Sequence, residues 1–158
     1  MHYAVTPQQN VFVFNASIRD NVSMFRSFPQ KALDEAISHA HLSELIEARG
    51  DWYLCGENGS GLSGGEKQRV SIARSLLKRS SVLLADEVAA ALDAETAHQV
   101  SSDILGLAGM TRIVVTRTLL CRYDGILVIK DGRVNECGSF DELMRQNGYF
   151  HALFTVAQ

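Results

Sequence analysis

Residues 61–77 read GLSGGEKQRVSIARSLL, and this stretch decides how the rest of the chain is interpreted. As G-x-S-x-G, it is the pattern of a strained strand-to-helix turn that presents Ser63 as the nucleophile of a hydrolase. As Ser63 followed three residues later by Glu66 and an apolar-periodic run, it is the start of a capped helix whose free amides face an anion. The two interpretations make different demands on the flanking sequence.

The hydrolase interpretation requires a strand directly before Ser63. Asp86 or Asp93 and then His151 follow in the Ser, Asp, His order of α/β-hydrolases. However, residues 50–62 contain four glycines, which predicts a loop. His151 lies in an apolar terminal stretch that is typical of a packed or surface histidine. A serine hydrolase therefore stands third among the hypotheses.

The anion interpretation needs only the helix start itself. The backbone amides of residues 63–65 are three consecutive donors at the positive end of a helix, and Gly64 and Gly65 leave them uncovered. Ser63 adds a hydroxyl group. The spacing predicts a helix over 64–78, with its inward positions at Val70, Ala73, Leu76 and Leu77. A purely structural cap is the alternative, since capping boxes are common.

Composition sets limits on the class of protein. The 158 residues are 46% hydrophobic and 21% charged, as in ordinary globular domains, and a net charge of −3 lacks the footprint of a nucleic-acid binder. The cysteines, Cys55, Cys121 and Cys137, show no CxxC spacing and predict reduced thiols in a cytosolic compartment. No secretory signal and no apolar run of about 18 residues is present. One compact unit is expected.

The first half is expected to be mainly helical. Residues 4–14 are rich in Val and Phe and predict a strand or an extended loop. Ser27 and Gln30 have capping-box spacing, and the helix they open is predicted to continue to residues 49–52. Its apolar positions are Leu33, Ile37, Leu42, Leu45 and Ile46.

The second half has the strand, helix, strand order of an α/β sheet that is mostly parallel. Residues 81–87, SVLLADE, predict a buried strand that ends in two carboxylates, and Asp93 predicts the cap of a helix through about Leu105. Residues 111–116 and 125–130 predict strands buried on both faces.

The last segment is predicted to be a hairpin followed by helix. Asp131-Gly132 has the composition of a hairpin turn, and Ser139 with Glu142 predicts a further capping box. A docked tail is expected at the end of the chain, through Tyr149, Phe150, Leu153 and Phe154.

Four motifs occur in order along the chain: LSGGEKQR at 62–69, ARSLL at 73–77, VLLADE at 82–87 and ALD at 91–93. In this order and spacing they closely resemble the nucleotide-binding domain of ATP-binding-cassette (ABC) transporters. The resemblance implies an α/β fold with an incomplete P-loop NTPase core, a mostly parallel sheet with flanking helices, and an α-helical signature subdomain. It divides the chain into a Q-loop region at about 1–14, a helical subdomain at 15–78 and the C-terminal part of the ATPase core at 79–158.

The resemblance also implies roles for individual residues. Residues 62–69 are similar to the signature motif, which contacts the γ-phosphate of ATP held mainly by a partner domain. Asp86 resembles the Walker B aspartate that supports Mg²⁺, Glu87 the catalytic base, and Asp93 the D-loop aspartate at the dimer seam. Gln9, or less favourably Gln8, resembles the Q-loop glutamine, which serves Mg²⁺ and catalysis. The implied nucleotide-binding residues are Leu62, Ser63, Gly64, Gly65, Glu66, Asp93 and Arg117.

Two departures from the family pattern bear on activity. The phosphate loop G-x-x-x-x-G-K-[ST] occurs nowhere in the 158 residues, and Arg117 stands where the family has its switch histidine. Arginine stays charged and lacks a neutral nitrogen acceptor. We therefore expect this chain alone to bind ATP very weakly and not to hydrolyse it. We also expect the isolated chain to associate, because the edges of its sheet are unpaired. Whether the chain is itself an enzyme stays open.

The resemblance also implies a setting for the chain. The expected partners are a second nucleotide-binding domain and the transmembrane domains of a transporter, on the cytoplasmic side of a membrane. The isolated chain would be cytosolic. GENGSG at 56–61 is similar to the loop by which exporter-type members touch their transmembrane domains, which favours an exporter. The alternative is a non-catalytic module that lends its signature face to a complete partner.

Overall fold

The computed structural model describes residues 11–78, 80–86, 92–107, 109–116 and 120–156. It forms two compact units, Met1–Val115 and Thr116–Gln158. The first unit contains helices α1 to α5 and strands β1 and β2: α1 Ile18–Ser23, α2 Gln30–His39, α3 Ser43–Arg49, α4 Gly64–Leu77, β1 Val82–Asp86, α5 Ala94–Gly106 and β2 Thr111–Val115. The second contains β3 Ile126–Lys130, β4 Arg133–Gly138, α6 Phe140–Gln146 and α7 Tyr149–Val156.

Helix α4 is central to the first unit, with α1 and α2 packed against it. The predicted start at Gly64 is confirmed, and the helix ends at Leu77. Of the predicted inward residues, Val70, Ala73 and Leu77 are buried and Leu76 is half-buried against the same core. Burial of this apolar face fixes the start of α4, where the predicted site lies, on a rigid element.

The prediction of one continuous helix up to residues 49–52 is wrong, because the chain turns between α2 and α3. His41 adopts a left-handed conformation with φ +53°, which no helix interior contains. The turn buries both Ala40 and Leu42 completely. Packing of these two side chains therefore overrides the helical periodicity of the sequence.

The predicted capping box of Ser27 and Gln30 is also wrong. Pro29 occupies the N-cap of α2, and no side chain caps that end. The Gln30 amide instead donates to Asp34 at 3.1 Å, one turn further along. A proline with its fixed φ suits a helix start without a side-chain cap.

Strands β1 and β2 form a parallel pair, with Val82 opposite Thr111 and Asp86 opposite Val115. Helix α5 connects them, so the predicted strand, helix, strand unit is confirmed. Burial on both faces is wrong for β2, because Ile113 and Val115 are each 56% exposed. The face of the pair that carries Leu83 and Ala85 packs on the helical core, whereas the other face is largely exposed along β2.

The second unit is built on the antiparallel hairpin of β3 and β4. Asp131 and Gly132 both have positive φ, 51° and 73°, as the predicted hairpin turn requires. Strand β3 was predicted to be buried on both faces, but Leu127 and Ile129 are 63% and 59% exposed. That prediction fails because β3 has only one apolar layer against it in this unit.

The end of the chain closes the small core of the second unit. The predicted capping box at Ser139 is confirmed, and Val128, Leu143 and Phe150 are the buried residues. Phe154 contacts the rings of Phe140 and Phe150. The prediction for Leu153 is wrong, since its side chain faces outward on α7 and is 50% exposed. Among the described residues, no helix is both long and apolar enough to cross a membrane.

Candidate functional site

Ser63 is the N-cap of α4 and forms a complete capping box with Glu66. The Ser63 hydroxyl accepts from the Glu66 amide at 3.2 Å, and the Ser63 amide donates to Glu66 Oε2 at 2.6 Å. The sequence interpretation of a capped helix is therefore confirmed. The expectation of three free amides is wrong, because the Glu66 carboxylate already occupies that of Ser63.

Gly64 and Gly65 supply the two amides that remain. Neither has a hydrogen-bond partner within the described part of the chain, as expected for the first turn of a helix. A Cβ atom added to Gly64 would meet nothing within 4 Å, and the residue does not need a positive φ. The fold itself does not require glycine at this position, and the space that a side chain would enter is open.

The start of α4 shares a hollow with the start of α5. Its cavity volume is about 370 Å³, and its lining consists of Ser63, Gly64, Gly65, Arg69, Leu92 and Asp93. Two helix N-termini therefore face the same hollow, and each carries a partial positive charge. This arrangement can bind an anion through backbone donors and a serine hydroxyl.

Asp93 is the N-cap of α5, as predicted from the sequence. Its Oδ1 accepts from the Thr96 amide at 3.0 Å. The hydrogen bonds from the Thr96 backbone and hydroxyl, and to a smaller extent the charge of Arg69, hold the pKa of the Asp93 carboxyl below its usual range. Asp93 is therefore a carboxylate at neutral pH, at the rim of an otherwise positive hollow.

Arg69 is a member of this site to which the sequence reasoning gave no role. Its Nη1 donates to the His41 carbonyl at 2.8 Å, so it fastens α4 to the turn between α2 and α3. Its Nε is buried with no hydrogen-bond partner among the described residues. A signal was available, because Arg69 follows Gly65 by four residues and so lies on the same helical face.

Two of the predicted site residues, Leu62 and Glu66, are buried in the fold. The Leu62 side chain is buried in the hydrophobic core. Glu66 is almost fully buried and accepts from Arg49 Nη2 at 3.0 Å in addition to the Ser63 amide. Arg49 lies 17 residues earlier, and no local pattern in the sequence indicates this contact.

Of the remaining predicted residues, the structure describes only Asp86. Asp86 is the exposed last residue of β1, at the carboxyl end where ligands approach parallel sheets. It is not part of the described lining of the hollow. Gln9, Glu87 and Arg117 lie outside the described residues.

The geometry argues against the hydrolase interpretation. Residues 57–59 form a short 3-10 turn, and no strand precedes Ser63 between the end of α3 and the start of α4. The Ser63 hydroxyl is engaged as a helix cap. The nucleophile elbow requires a strand that enters the turn directly, and that feature is missing here.

Comparison with known proteins identifies the family. The sequence profile described as "ABC transporter" matches residues 1–90, which is more than half of the chain. The chain belongs to the ABC transporter family. This finding agrees with the motifs at 62–69 and 82–87, and ABC transporters in general bind ATP with Mg²⁺.

Curated ABC relatives match almost the whole chain. It is 38% identical to ATP-binding cassette sub-family B member 6 of Xenopus tropicalis, over 99% of the chain and 19% of that protein. It is 39% identical to the beta-(1→2)glucan export ATP-binding/permease protein NdvA of Rhizobium johnstonii, over 98% of the chain and 27% of that protein. The mycobactin import ATP-binding/permease protein IrtB of Mycobacterium bovis is 43% identical, over 90% of the chain and 26% of that protein.

A solved ABC structure has the same fold. It is described as a bacterial Atm1-family ABC exporter with ATP bound, and it superposes with a TM-score of 0.86 at 32% identity. The match covers 98% of this chain and 28% of that one. The predicted fold class, an α/β fragment of an ABC ATPase, is therefore confirmed. The chain spans between 19% and 27% of the length of these three relatives.

Proposed function

We propose that this chain is part of the ATP-binding domain of an exporter-type ABC transporter, and that its hollow contacts the γ-phosphate of an ATP held mainly by a partner domain. One observation carries the proposal. The free amides of Gly64 and Gly65 open, with the Ser63 hydroxyl, into the same hollow that Asp93 and Arg69 line. In this family, the signature motif and the D-loop belong to the face between two such domains.

The donor set fits a phosphate group. Two uncovered amides, one hydroxyl and a helix N-terminus are the usual components of a phosphate site. The glycine at position 64 lets oxygen atoms approach the backbone, since no side chain occupies that space. No lysine-bearing phosphate loop occurs in the 158 residues, so we propose that the chain alone binds ATP weakly and does not hydrolyse it.

The remaining site residues are proposed by their motif positions. Asp86 is an exposed carboxylate at the end of β1 and could hold Mg²⁺ together with nucleotide phosphates, as Mg²⁺ sites with few protein ligands do. The described residues contain no cluster of three potential metal ligands. Gln9 is proposed to assist Mg²⁺ binding and catalysis, Glu87 to act as the base, and Arg117 to face the γ-phosphate in place of a histidine. Magnesium supplies charge neutralisation between phosphates.

The proposed setting is that of the longer relatives. The two relatives whose names include "permease" combine ATP-binding and permease functions in one protein. We propose that this chain acts with a second nucleotide-binding domain and with transmembrane domains, at the cytoplasmic side of a membrane. The division into residues 1–14, 15–78 and 79–158 is proposed on the same basis.

The proposal is tested by mixing the 158-residue chain with a complete exporter nucleotide-binding domain that has its own phosphate loop. We expect Mg²⁺-ATP to drive their association in analytical ultracentrifugation. Gly64→Ala should abolish the ATP effect without loss of helical signal, because its Cβ would occupy the phosphate space and nothing else. Gly106→Ala is the matched control, since it also adds a Cβ to a helical glycine with open surroundings.

Each outcome decides between the candidate functions. ATP-driven association without Mg²⁺-dependent phosphate release by the chain alone supports the proposal. If Gly64→Ala associates like the control, the hollow does not face the nucleotide. Phosphate release by the chain at the rate of a complete domain would falsify its dependence on a partner.

A further inference from the structure

The capping box at the start of α4 places a negative charge beside the proposed phosphate site. Glu66 lies in the first turn, and its Oε2 is 2.6 Å from the Ser63 amide. The free amides of Gly64 and Gly65 lie between these two residues in sequence. A carboxylate in this turn without a neutralising partner would cancel much of the positive potential that attracts a phosphate.

Arg49 neutralises that charge. It is the last residue of α3, and its Nη2 donates to the second Glu66 oxygen, Oε1, at 3.0 Å. The side chains are 30% and 12% exposed, so the pair is shielded from solvent more than a surface ion pair is. Each Glu66 oxygen therefore has one donor, one from the helix start and one from Arg49.

Arg49 is itself held in place by the loop before α4. Its Nη1 donates to the Gly61 carbonyl at 2.6 Å and to the Tyr53 hydroxyl at 3.0 Å, and its guanidinium lies 4.8 Å from the centre of the Tyr53 ring. The Tyr53 hydroxyl also donates to the Gly61 carbonyl at 3.0 Å. A Cβ at Gly61 would overlap the Tyr53 hydroxyl, so the close approach requires glycine there.

The second capping box of the chain has an arginine nearby, Arg145, but its glutamate forms no bond to it. Glu142 is exposed, and its carboxylate accepts from the Ser139 amide at 2.9 Å. It forms no salt bridge within the described part of the chain. A capping glutamate therefore needs no hydrogen-bonded arginine to cap a helix, and the Arg49 contact at Glu66 calls for a different explanation.

We propose that Arg49 is a positioning residue for the nucleotide site, which cancels the charge of Glu66 so that the start of α4 can accept a phosphate. The inference rests on the proposed function of the hollow. Arg49 acts through Glu66 and does not itself contact the nucleotide. The pair thus combines a strong cap with an anion site in the same helical turn.

The test compares Arg49→Met, Glu66→Gln and the double variant in the association of the full chain with a complete nucleotide-binding domain. Arg49→Met should raise the ATP concentration for half-maximal association about tenfold, the scale of one helix-terminus charge. Adding Glu66→Gln should restore it to within about threefold, because glutamine can still accept from Ser63 but has no charge. Arg19→Met is the control, since it breaks an ion pair with Asp34 beside a different hollow.

The outcomes separate an electrostatic role from a structural one. A merely structural Arg49 would leave the double variant as weak as Arg49→Met, because glutamine cannot replace the bond to Gly61, and that result overturns the inference. If the unaltered chain shows no ATP response, the proposed function fails. Titration of the ¹⁵N-labelled chain with pyrophosphate then tests the role of Arg49 independently. The inference requires the amide chemical shifts of Gly64 and Gly65 to saturate at a lower pyrophosphate concentration in the unaltered chain than in Arg49→Met. Equal titrations contradict the inference.

Discussion

Arg74 and Asn21 meet across 53 residues of sequence, with Arg74 Nη2 3.1 Å from Asn21 Oδ1. Arg74 lies on α4 and also donates to the carbonyls of Asn21 at 2.8 Å and Phe12 at 2.7 Å. The completely buried Asn21 side chain accepts from the Phe14 amide at 2.8 Å. The helix that bears the proposed phosphate site is thereby fastened to the segment that follows Gln9 in the chain.

We expect Asn21→Leu to lower the free energy of unfolding by about 3 kcal/mol, since leucine has the same branching as asparagine but would leave several buried polar groups unpaired. Urea unfolding followed by circular dichroism measures it. The exposed Asn135→Leu is the matched control and should change stability by about 0.5 kcal/mol or less. Equal effects of the two substitutions would show that the buried network contributes nothing.

The cap of α5 should make part of the stability depend on pH. Hydrogen bonds from Thr96 lower the pKa of Asp93 in the folded chain. The stabilisation is therefore complete above the unfolded pKa of about 3.9 and is lost as the pH falls through the folded pKa. Asp93→Asn keeps a good N-cap without titrating, so it should lose less stability than the unaltered chain between pH 6 and pH 3.

Urea unfolding at both pH values measures this difference. Asp131→Asn, in the hairpin turn, is the control, because asparagine also tolerates the positive φ there. The Asp131→Asn variant should lose as much stability between pH 6 and pH 3 as the unaltered chain does. An identical loss in Asp93→Asn and the unaltered chain would mean that the cap does not titrate.

The loop before α4 depends on the close approach of Gly61 and Tyr53. Gly61→Ala should destabilise the chain by about 1–3 kcal/mol, because the new Cβ overlaps the Tyr53 hydroxyl and lies 3.1 Å from the Cys55 carbonyl. Tyr53→Phe removes the hydroxyl, so the double variant should recover about 1 kcal/mol relative to additivity. Gly125→Ala adds a Cβ in open space and serves as the control. Strict additivity in this cycle would contradict the steric explanation.

Exposed apolar strands should make the 158-residue chain associate. On the hairpin, Ile129 and Val134 are paired across the strands and are 59% and 57% exposed. Light scattering coupled to size exclusion should show species larger than the monomer, and Ile129→Thr with Val134→Thr should reduce them. Val156→Thr, at the 89% exposed end of α7, should have little effect. A monodisperse unaltered monomer would oppose this prediction.

Local features of the fold were predictable from the sequence. The caps at Ser63, Asp93 and Ser139 and the turn at Asp131 involve partners within a few residues, so the sequence pattern nearly determines them. The break at His41 was not predictable, because it depends on burial of its neighbours in the assembled core. The exposure of Ile113 likewise depends on what lies against the strand, and periodicity does not report that.

The sequence predicted the backbone of the candidate site, a helix start, but not the contacts between its charged side chains. The motif at 62–69 placed Ser63, Gly64 and Gly65 correctly at a helix start. It could not show that Glu66 occupies the Ser63 amide, nor that Arg49 joins from 17 residues away. Contacts of this kind are set by tertiary packing and leave no spacing in the sequence.

The two capping boxes have the same S-x-x-E sequence, but we expect their serines, Ser63 and Ser139, to tolerate different substitutions. At Ser139, the helix continues with Phe140 and Asp141, whose acidic side chain already opposes an anion. Asparagine, which can donate to Glu142 as the serine hydroxyl does, could therefore replace this serine at little cost. At Ser63, aspartate would add a second carboxylate beside Glu66 and would repel the phosphate that we propose binds in the hollow. Among relatives of this chain, we therefore expect Ser139 to vary and Ser63 to be retained. Helix capping alone would not produce this difference, whereas ligand binding would.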